Sequence, residues 1–371
     1  MAAIMPLSTR RIAALTGVSH MTVARTLRND PRVARETARK VRTALKRYGY
    51  QPNPMVSALM AQLRATRPKA YHPTIAFLNA WWPPALWWSC PTKTSQFHGA
   101  EARAAELGYR LEMFWLFAPG MSPKRVAQIL QARGVQGVLL GPVQYAWKEI
   151  PFAWEGFSVA TISFSIRKPP LANAGSAVFQ GMTRIMAELL ARGYRRVGYI
   201  TSRDFERRVN TLAGGAFRLF QREFSPENRI EPLIFDEGID QAATRRWLAD
   251  ERPDVVVSRL QYIFEMVLGL GYRIPGDIGF AHLDLPRELR ARGVAGIDVL
   301  SEVVGATAVE LVINQIHNNV RGIPRVPTTT FVYGEFVPGR SLRPRKRALP
   351  SERFRAILSS SRAYVDGNSF D

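Results

Sequence analysis

A single cysteine, Cys90, stands in this chain of 371 residues. No internal disulfide can form and no cysteine-rich zinc site can be built, which fits a reducing cytosol. Histidine is also scarce: His20, His72, His98, His282 and His317 are scattered without the spacing of metal ligands. There is no strand-anchored Gly-x-Gly-x-x-Gly, no Gly-x-Ser-x-Gly and no Gly-x-x-x-x-Gly-Lys-Ser/Thr, so the common signatures of dinucleotide binding, nucleophile elbows and P-loops are missing. No catalytic residue, metal or cofactor is therefore expected. The opening residues lack an apolar stretch of leader-peptide length, and no later segment is an unbroken membrane-spanning run. These absences predict a soluble cytoplasmic protein and argue against an exported binding protein.

Acidic residues are few as well, 30 against 51 Lys and Arg, for a formal net charge of +21. Placement says more than size. Residues 1–70 hold 14 Lys and Arg against 2 acids, and residues 340–371 hold 8 against 3, which leaves the long middle of the chain only +4. A short unit that concentrates positive charge suits a polyanion, because Lys and Arg displace the counterions condensed on phosphates. The alternative for such a run is a solubilising surface.

What is present in residues 8–50 is the punctuation of three short helices. Ser8 can cap the first, with Ile12, Ala13 and Leu15 at helical spacing and Gly17 where a left-handed residue is needed. Ser19 can cap a second helix running to Leu27, so only Gly17-Val18-Ser19 separates two helices that must cross steeply. Asn29-Asp30-Pro31 breaks the second helix, and a third is expected over 35–48, with Ala38, Val41, Ala44, Leu45 and Tyr48 on one face. In a helix-turn-helix the second helix enters the major groove, with residues near its start at base edges and flanking groups on phosphates. Here those residues are Ser19, His20, Met21, Thr22 and Arg25, with Thr22 suited to phosphate and Arg25 to guanine O6 and N7. Ser8, Arg28, Arg32, Tyr50 and Asn53 flank them as further DNA-contact candidates. The bland alternative is that His20 and Arg25 only solvate a helical bundle.

Pro52-Asn53-Pro54 interrupts the chain, and residues 55–65 are helix-compatible before a second breaker region at 66–73. Val56, Leu59, Met60 and Leu63 would cover one side of a helix with no domain of its own, which reads as a hinge. Beyond it, apolar runs at 74–78, 137–140, 159–162, 197–200, 254–257 and 278–281 alternate with helical candidates at 96–108, 123–134, 181–193, 215–223 and 262–271. That alternation predicts parallel sheets sandwiched by helices, and the span suffices for two lobes with a cleft between them. The expected organisation is an all-α helix-turn-helix domain at 1–50, a hinge helix and linker at 51–72, a two-lobed α/β core at 73–340 and a basic, partly ordered tail at 341–371.

Residues 11–53 resemble the N-terminal signature of the lactose/galactose repressor (LacI/GalR) family, through Ala13, Gly17, Val18, Ser19, Thr22, Val23, Arg25, Gly49, Tyr50, Pro52 and Asn53. The resemblance implies that His20 and Met21 distinguish operators and that Arg25 contacts a base. Ala24 and Ala34 depart from the family's usual Ser and capping Ser/Thr, and Arg28 precedes Asn29 where the family often ends in Asn. In the family the segment after Pro-Asn folds as a hinge helix on the operator, and a leucine from each subunit wedges into the minor groove. Leu59 is the matching residue, for wedging, for packing on its partner hinge, or both. Two hinges imply a homodimer on a pseudo-palindromic site of double-stranded DNA.

A weaker resemblance runs through the core, at 136–140, 189–197, 271–278, 305–322 and 338–341, and implies a periplasmic-binding-protein-like fold. The implied function is a transcriptional repressor whose operator affinity answers to a small-molecule effector, such as a carbohydrate or sugar derivative, held between the lobes. Pocket positions depart from the family: Ala177 stands for an Asp, Thr211 for an effector-clamping Arg, and Arg259-Leu260 for Asn-Asp, while Asp284 alone remains of an acidic pair. Either the effector differs in polarity from ordinary sugars or inducer binding has been lost, which would leave a dimeric DNA-binding protein whose core only dimerises. Arg203, Arg207, Arg208 and Arg259 would together favour an anion. Trp81 and Trp82, in the run Trp81-Trp82-Pro83-Pro84-Ala85-Leu86-Trp87-Trp88, suit the apolar faces of sugar rings or else fill a core or interface. The ligand-contact candidates are Trp81, Trp82, Tyr145, Phe164, Arg203, Asn210, Arg259 and Asp284.

Overall fold

Gly17, at φ +64°, turns the chain between two short helices, in the left-handed conformation that the three-residue connection requires. The structure, a computed structural model, describes residues 9–27, 30, 32–48, 50, 73–144, 149–236, 238 and 240–344. Its first unit comprises α1 (Thr9–Thr16), α2 (His20–Leu27) and α3 (Arg35–Arg47). Ser19 caps α2, its Oγ accepting the Thr22 amide at 3.0 Å, whereas Ala34 leaves the α3 start without a side-chain cap. Ile12, Ala13, Val23, Ala38, Val41 and Leu45 fill a small core. Leu15 and Tyr48, expected on inner faces, are instead exposed. Thr16 takes the inner position of α1 by donating its hydroxyl to the Ile12 carbonyl at 2.7 Å, and Tyr48 lies beyond the last helical residue of α3. The hinge stretch at 55–65 lies outside the described residues.

From residue 73 the chain builds two six-stranded sheets. One contains β1 (Thr74–Asn79), β2 (Arg110–Trp115), β3 (Gly137–Leu140), β4 (Ser158–Ile162), β5 (Ala172–Ser176) and β11 (Thr329–Val332), in the order β11-β5-β4-β3-β1-β2 and wholly parallel. The other contains β6 (Val197–Ser202), β7 (Leu233–Phe235), β8 (Val255–Ser258), β9 (Gly279–His282), β10 (Ala295–Asp298) and β12 (Glu335–Val337), ordered β12-β10-β9-β8-β6-β7 and parallel except for β12 against β10. All six apolar runs expected as strands lie in these sheets. The six strands outside those runs, β2, β5, β7, β10, β11 and β12, include the partly exposed ones. The first lobe carries α4 (Pro84–Trp88), α5 (Pro91–Glu106), α6 (Pro123–Ala132) and α13 (Ser301–His317); the second carries α7 (Val178–Ala191), α8 (Arg203–Arg208), α9 (Leu212–Gln221), α10 (Gln241–Glu251), α11 (Gln261–Gly269) and α12 (Arg287–Ala291). Helices α5 and α7 begin five and three residues before the expected starts, α5 because Pro91 is accommodated in its first turn, where no amide hydrogen is needed.

The chain crosses between lobes three times, at Ala177, at Val299 to Leu300 and at Tyr333 to Gly334. The crossings are joined: Ala177 donates its amide to the Val332 carbonyl at 2.9 Å. Helix α13 returns to the first lobe and lies against α5 through two glycines, Gly99 facing the Glu302 backbone and Gly305 facing the Gln96 backbone. Ser341 and Leu342, expected in a tail, belong to the second lobe. Ser341 Oγ accepts the Ala295 amide at 2.8 Å and donates to the Phe280 carbonyl at 2.7 Å, so its side chain joins two strands. No helix among the described residues is long and apolar enough to cross a membrane.

Candidate functional site

Met21 and Arg25 lie four residues apart on α2 and therefore on one helical face; Met21 is 54% exposed. The Asp30 carboxylate sits behind them. It receives Arg32 Nε and Nη2 at 3.0 and 2.7 Å, with Arg25 Nε 4.0 Å away. The hydrogen bonds from Arg32 hold the Asp30 carboxyl well below the usual carboxylate range. His20 Nε2 lies 2.7 Å from Thr9 Oγ1, which ties the start of α2 to the start of α1. The Ser19 and Thr22 hydroxyls bond each other at 2.8 Å, and Tyr50 packs half-buried against the trihelical core. Ser8, Arg28, Asn53 and Leu59 lie outside the described residues, as does Tyr145 of the core.

The second site is a cleft of about 310 Å³ where the three interlobe crossings meet. Its first-lobe wall rests on the carboxyl end of β1, where the sheets of such folds leave a crevice. There the buried Asn79 accepts the Trp81 amide at 2.9 Å, and Trp81 Nε1 donates to the Pro142 carbonyl at 2.7 Å. The ring so fixed faces Lys93, whose Nζ lies 3.7 Å from its centroid. Burial, with the positive charges of Arg259 and Arg208, pulls the Lys93 ammonium below its ordinary range, against the opposing effect of the Cys90 thiol.

From the second lobe come Arg208 and Arg259. Arg208 is held by Asp204 at 2.6 Å and spans the cleft to the Val143 carbonyl at 2.6 Å and to the Gln144 carbonyl. Arg259 Nη2 lies 3.0 Å from the Asp284 carboxylate, with its guanidinium 5.0 Å from the Phe205 ring. Thr92 donates to the same Asp284 carboxylate across the cleft at 3.2 Å. A further tie runs from Arg167 to Asn210 Oδ1 at 3.1 Å.

The structure therefore brings Trp81, Phe164, Arg259 and Asp284 together on the wall of one cavity, with Ala177 and Leu260 beside them. It does not bring the others. Trp82 points outward against Trp115, and Arg203 pairs with Asp236 on a separate depression that it shares with Arg207. Asn210, left-handed at φ +56°, serves the interlobe bond rather than the wall, and Thr211 lines that same separate depression. Trp87 is core, edge-on to Phe77 at 5.7 Å. Lys93, Thr92, Gln96 and Asp204 line the cavity without having been singled out. A helix start following a tryptophan run was the available signal for Lys93.

Residues 10–53 match the family described as bacterial regulatory proteins, lacI family. The match lies on the trihelical unit at the start of the chain. Along its length it is 20% identical over 339 residues to the NTD biosynthesis operon regulator NtdR of Bacillus subtilis (strain 168), covering 86% of this chain and 97% of that protein. The fold is similar to the transcriptional regulator CelR in its cellobiose complex, with TM-score 0.57, 18% identity and coverage of 90% of this chain and 99% of that one. It is also similar to the lac repressor dimer bound to operator and the anti-inducer ONPF, with TM-score 0.55, 15% identity and coverage of 91% and 99%. The lacI-family unit marks a DNA-binding transcriptional regulator, and the two-lobed α/β core behind it shares the fold of those two structures.

Proposed function

We propose that this lacI-family chain represses transcription as a homodimer on a pseudo-palindromic operator, and that a small molecule held between its lobes changes operator affinity. Met21 and Arg25 read base edges with His20, while Ser19, Thr22, Arg32 and Tyr50 hold the backbone. Ser8, Arg28 and Asn53 add backbone contacts, and Leu59 supplies the minor-groove wedge that the family resemblance implies. The observation that carries the effector reading is the cleft itself: opposite walls come from different lobes, and Arg208 and Thr92 bond across it. A ligand that favours one separation of the lobes shifts their equilibrium and so the spacing of whatever precedes them.

The test is operator selection with the full chain, followed by fluorescence anisotropy of the selected duplex against a metabolite panel. A change in operator affinity supports control by an effector. Operator affinity that no metabolite changes would favour the second reading, a constitutive dimer. Ala177 and Leu260 lend that reading support, since they put apolar groups on the wall where the family usually has ligand clamps.

A further inference from the structure

Besides the short α8, which Ser202 caps and whose first turn holds Asp204, three longer helices begin at the interlobe cavity. Thr92 and Lys93 at the start of α5, Ala177 and Val178 at the start of α7, and Leu260 before α11 all line it. None of the three helices has a side-chain cap and none has an acidic residue in its first turn. Their aligned peptide dipoles make one positive end each. Lys93 sits in the first turn of a sixteen-residue helix, where a cation opposes the dipole. A position that breaks a local rule in this way marks a functional demand.

The charged side chains agree. Arg208 is paired with Asp204 and Arg259 with Asp284, which leaves Lys93 as the cation with no carboxylate within ion-pair distance among the described residues. The Trp81 ring, suited in principle to a sugar face, is occupied by that ammonium. A separate group also calls for a ligand: Gln96 lines the cavity, is only 6% exposed, and its buried Oε1 accepts no hydrogen bond. A buried acceptor left unmade is costly, and a ligand hydroxyl would satisfy it.

We propose that the cavity is built for a small hydroxylated anion, a sugar acid or sugar phosphate in chemical class, whose anionic group meets Lys93 and the helix N-termini while a hydroxyl meets Gln96. This rests on the reading that the cleft holds an effector. Two ion pairs cancel within the site, so one negative charge on the ligand completes the balance.

The experiment uses the full chain and thermal unfolding, since a ligand that binds only the folded state raises the midpoint. Aldonates, uronates and sugar phosphates of several configurations are each set beside the uncharged parent sugar at about 10 mM. The expected result is a raised midpoint with at least one anion and a binding constant at least about tenfold tighter than for its parent. A response to carboxylates or to phosphates supports the proposal and says which group is read. Lys93→Met should weaken the anion about tenfold or more without weakening the uncharged parent, and Lys93→Arg should recover part of the loss. If uncharged sugars bind as well as the anions, or if Lys93→Met leaves the preference intact, the charge assignment is overturned and the effector cleft stands. If neither class moves the midpoint, both fall.

Discussion

A β-carbon placed on Gly305 would lie 1.8 Å from the Gln96 carbonyl oxygen, so α13 and α5 meet backbone to backbone at this point. Gly99 does the same from the other side, with its β-carbon position 2.0 Å from the Glu302 carbonyl. Gly305→Ala must therefore push the helices apart, and both obstructing atoms are main chain. We expect a loss of about 3 kcal/mol in urea unfolding, at the upper end of overpacking costs. Because α5 carries Lys93 and Gln96 to the cavity wall, the same variant should weaken effector binding. Wild-type stability in Gly305→Ala would show that the helix pair does not approach as closely as described.

Arg25 stands on the exposed face of α2 with Met21, and Asp30 is near enough to orient its guanidinium without burying it. Arg25→Ala should remove about 1 to 3 kcal/mol of discrimination at one operator position, the worth of a bidentate guanine contact, and leave the oligomeric state unchanged. Binding-site selection reads this directly. Unchanged selectivity in the variant would end the base-reading role.

Concentrated charge at the N-terminus carries a salt prediction. With 14 Lys and Arg against 2 acids in residues 1–70, operator affinity should fall linearly on a plot of log K against log salt, with a slope of about −0.9 for each phosphate neutralised. A flat plot contradicts a phosphate-anchored complex.

His282 lies buried at the end of β9, its Nδ1 accepting the Asp284 amide at 3.1 Å, and burial pulls its imidazole from 6.5 to about 4. The folded chain thus keeps His282 neutral, while the unfolded chain takes up a proton as pH falls through 6.5. Stability from this residue is complete above pH 6.5 and declines between 6.5 and about 4, by about 3 kcal/mol in all. His282→Asn, whose side-chain oxygen can replace Nδ1 as acceptor, should flatten the dependence of unfolding free energy on pH in that window. An identical slope in wild type and variant would refute the assignment.

The helix-turn-helix and the six most fully buried strands were legible because each is a local pattern. Gly17 needed its left-handed turn, Ser19 its cap, and runs such as 255–257 are buried on both faces and therefore apolar throughout. Partly exposed edge and crossing strands such as β11 and β12 carry no such run, since their neighbours cover only part of them. Among the arginines, composition could not separate Arg208 and Arg259, inside the cleft, from Arg203 and Arg207, outside it. Arg207 and Arg208 are adjacent on a helix, and one residue turns the side chain by roughly 100°.

Sequence alone determined the DNA-binding unit and the alternating α/β core, since helix caps, turn residues and apolar periodicity act within a few residues of one another. Tertiary structure decided what the cleft presents. Trp81, Lys93 and Gln96 come from one lobe, Arg208, Arg259 and Asp284 from the other, and α7 and α11 add their N-termini. The field of a cavity is the sum over groups distant in the chain, so its sign follows from which of them the fold pairs off and which it leaves unpaired.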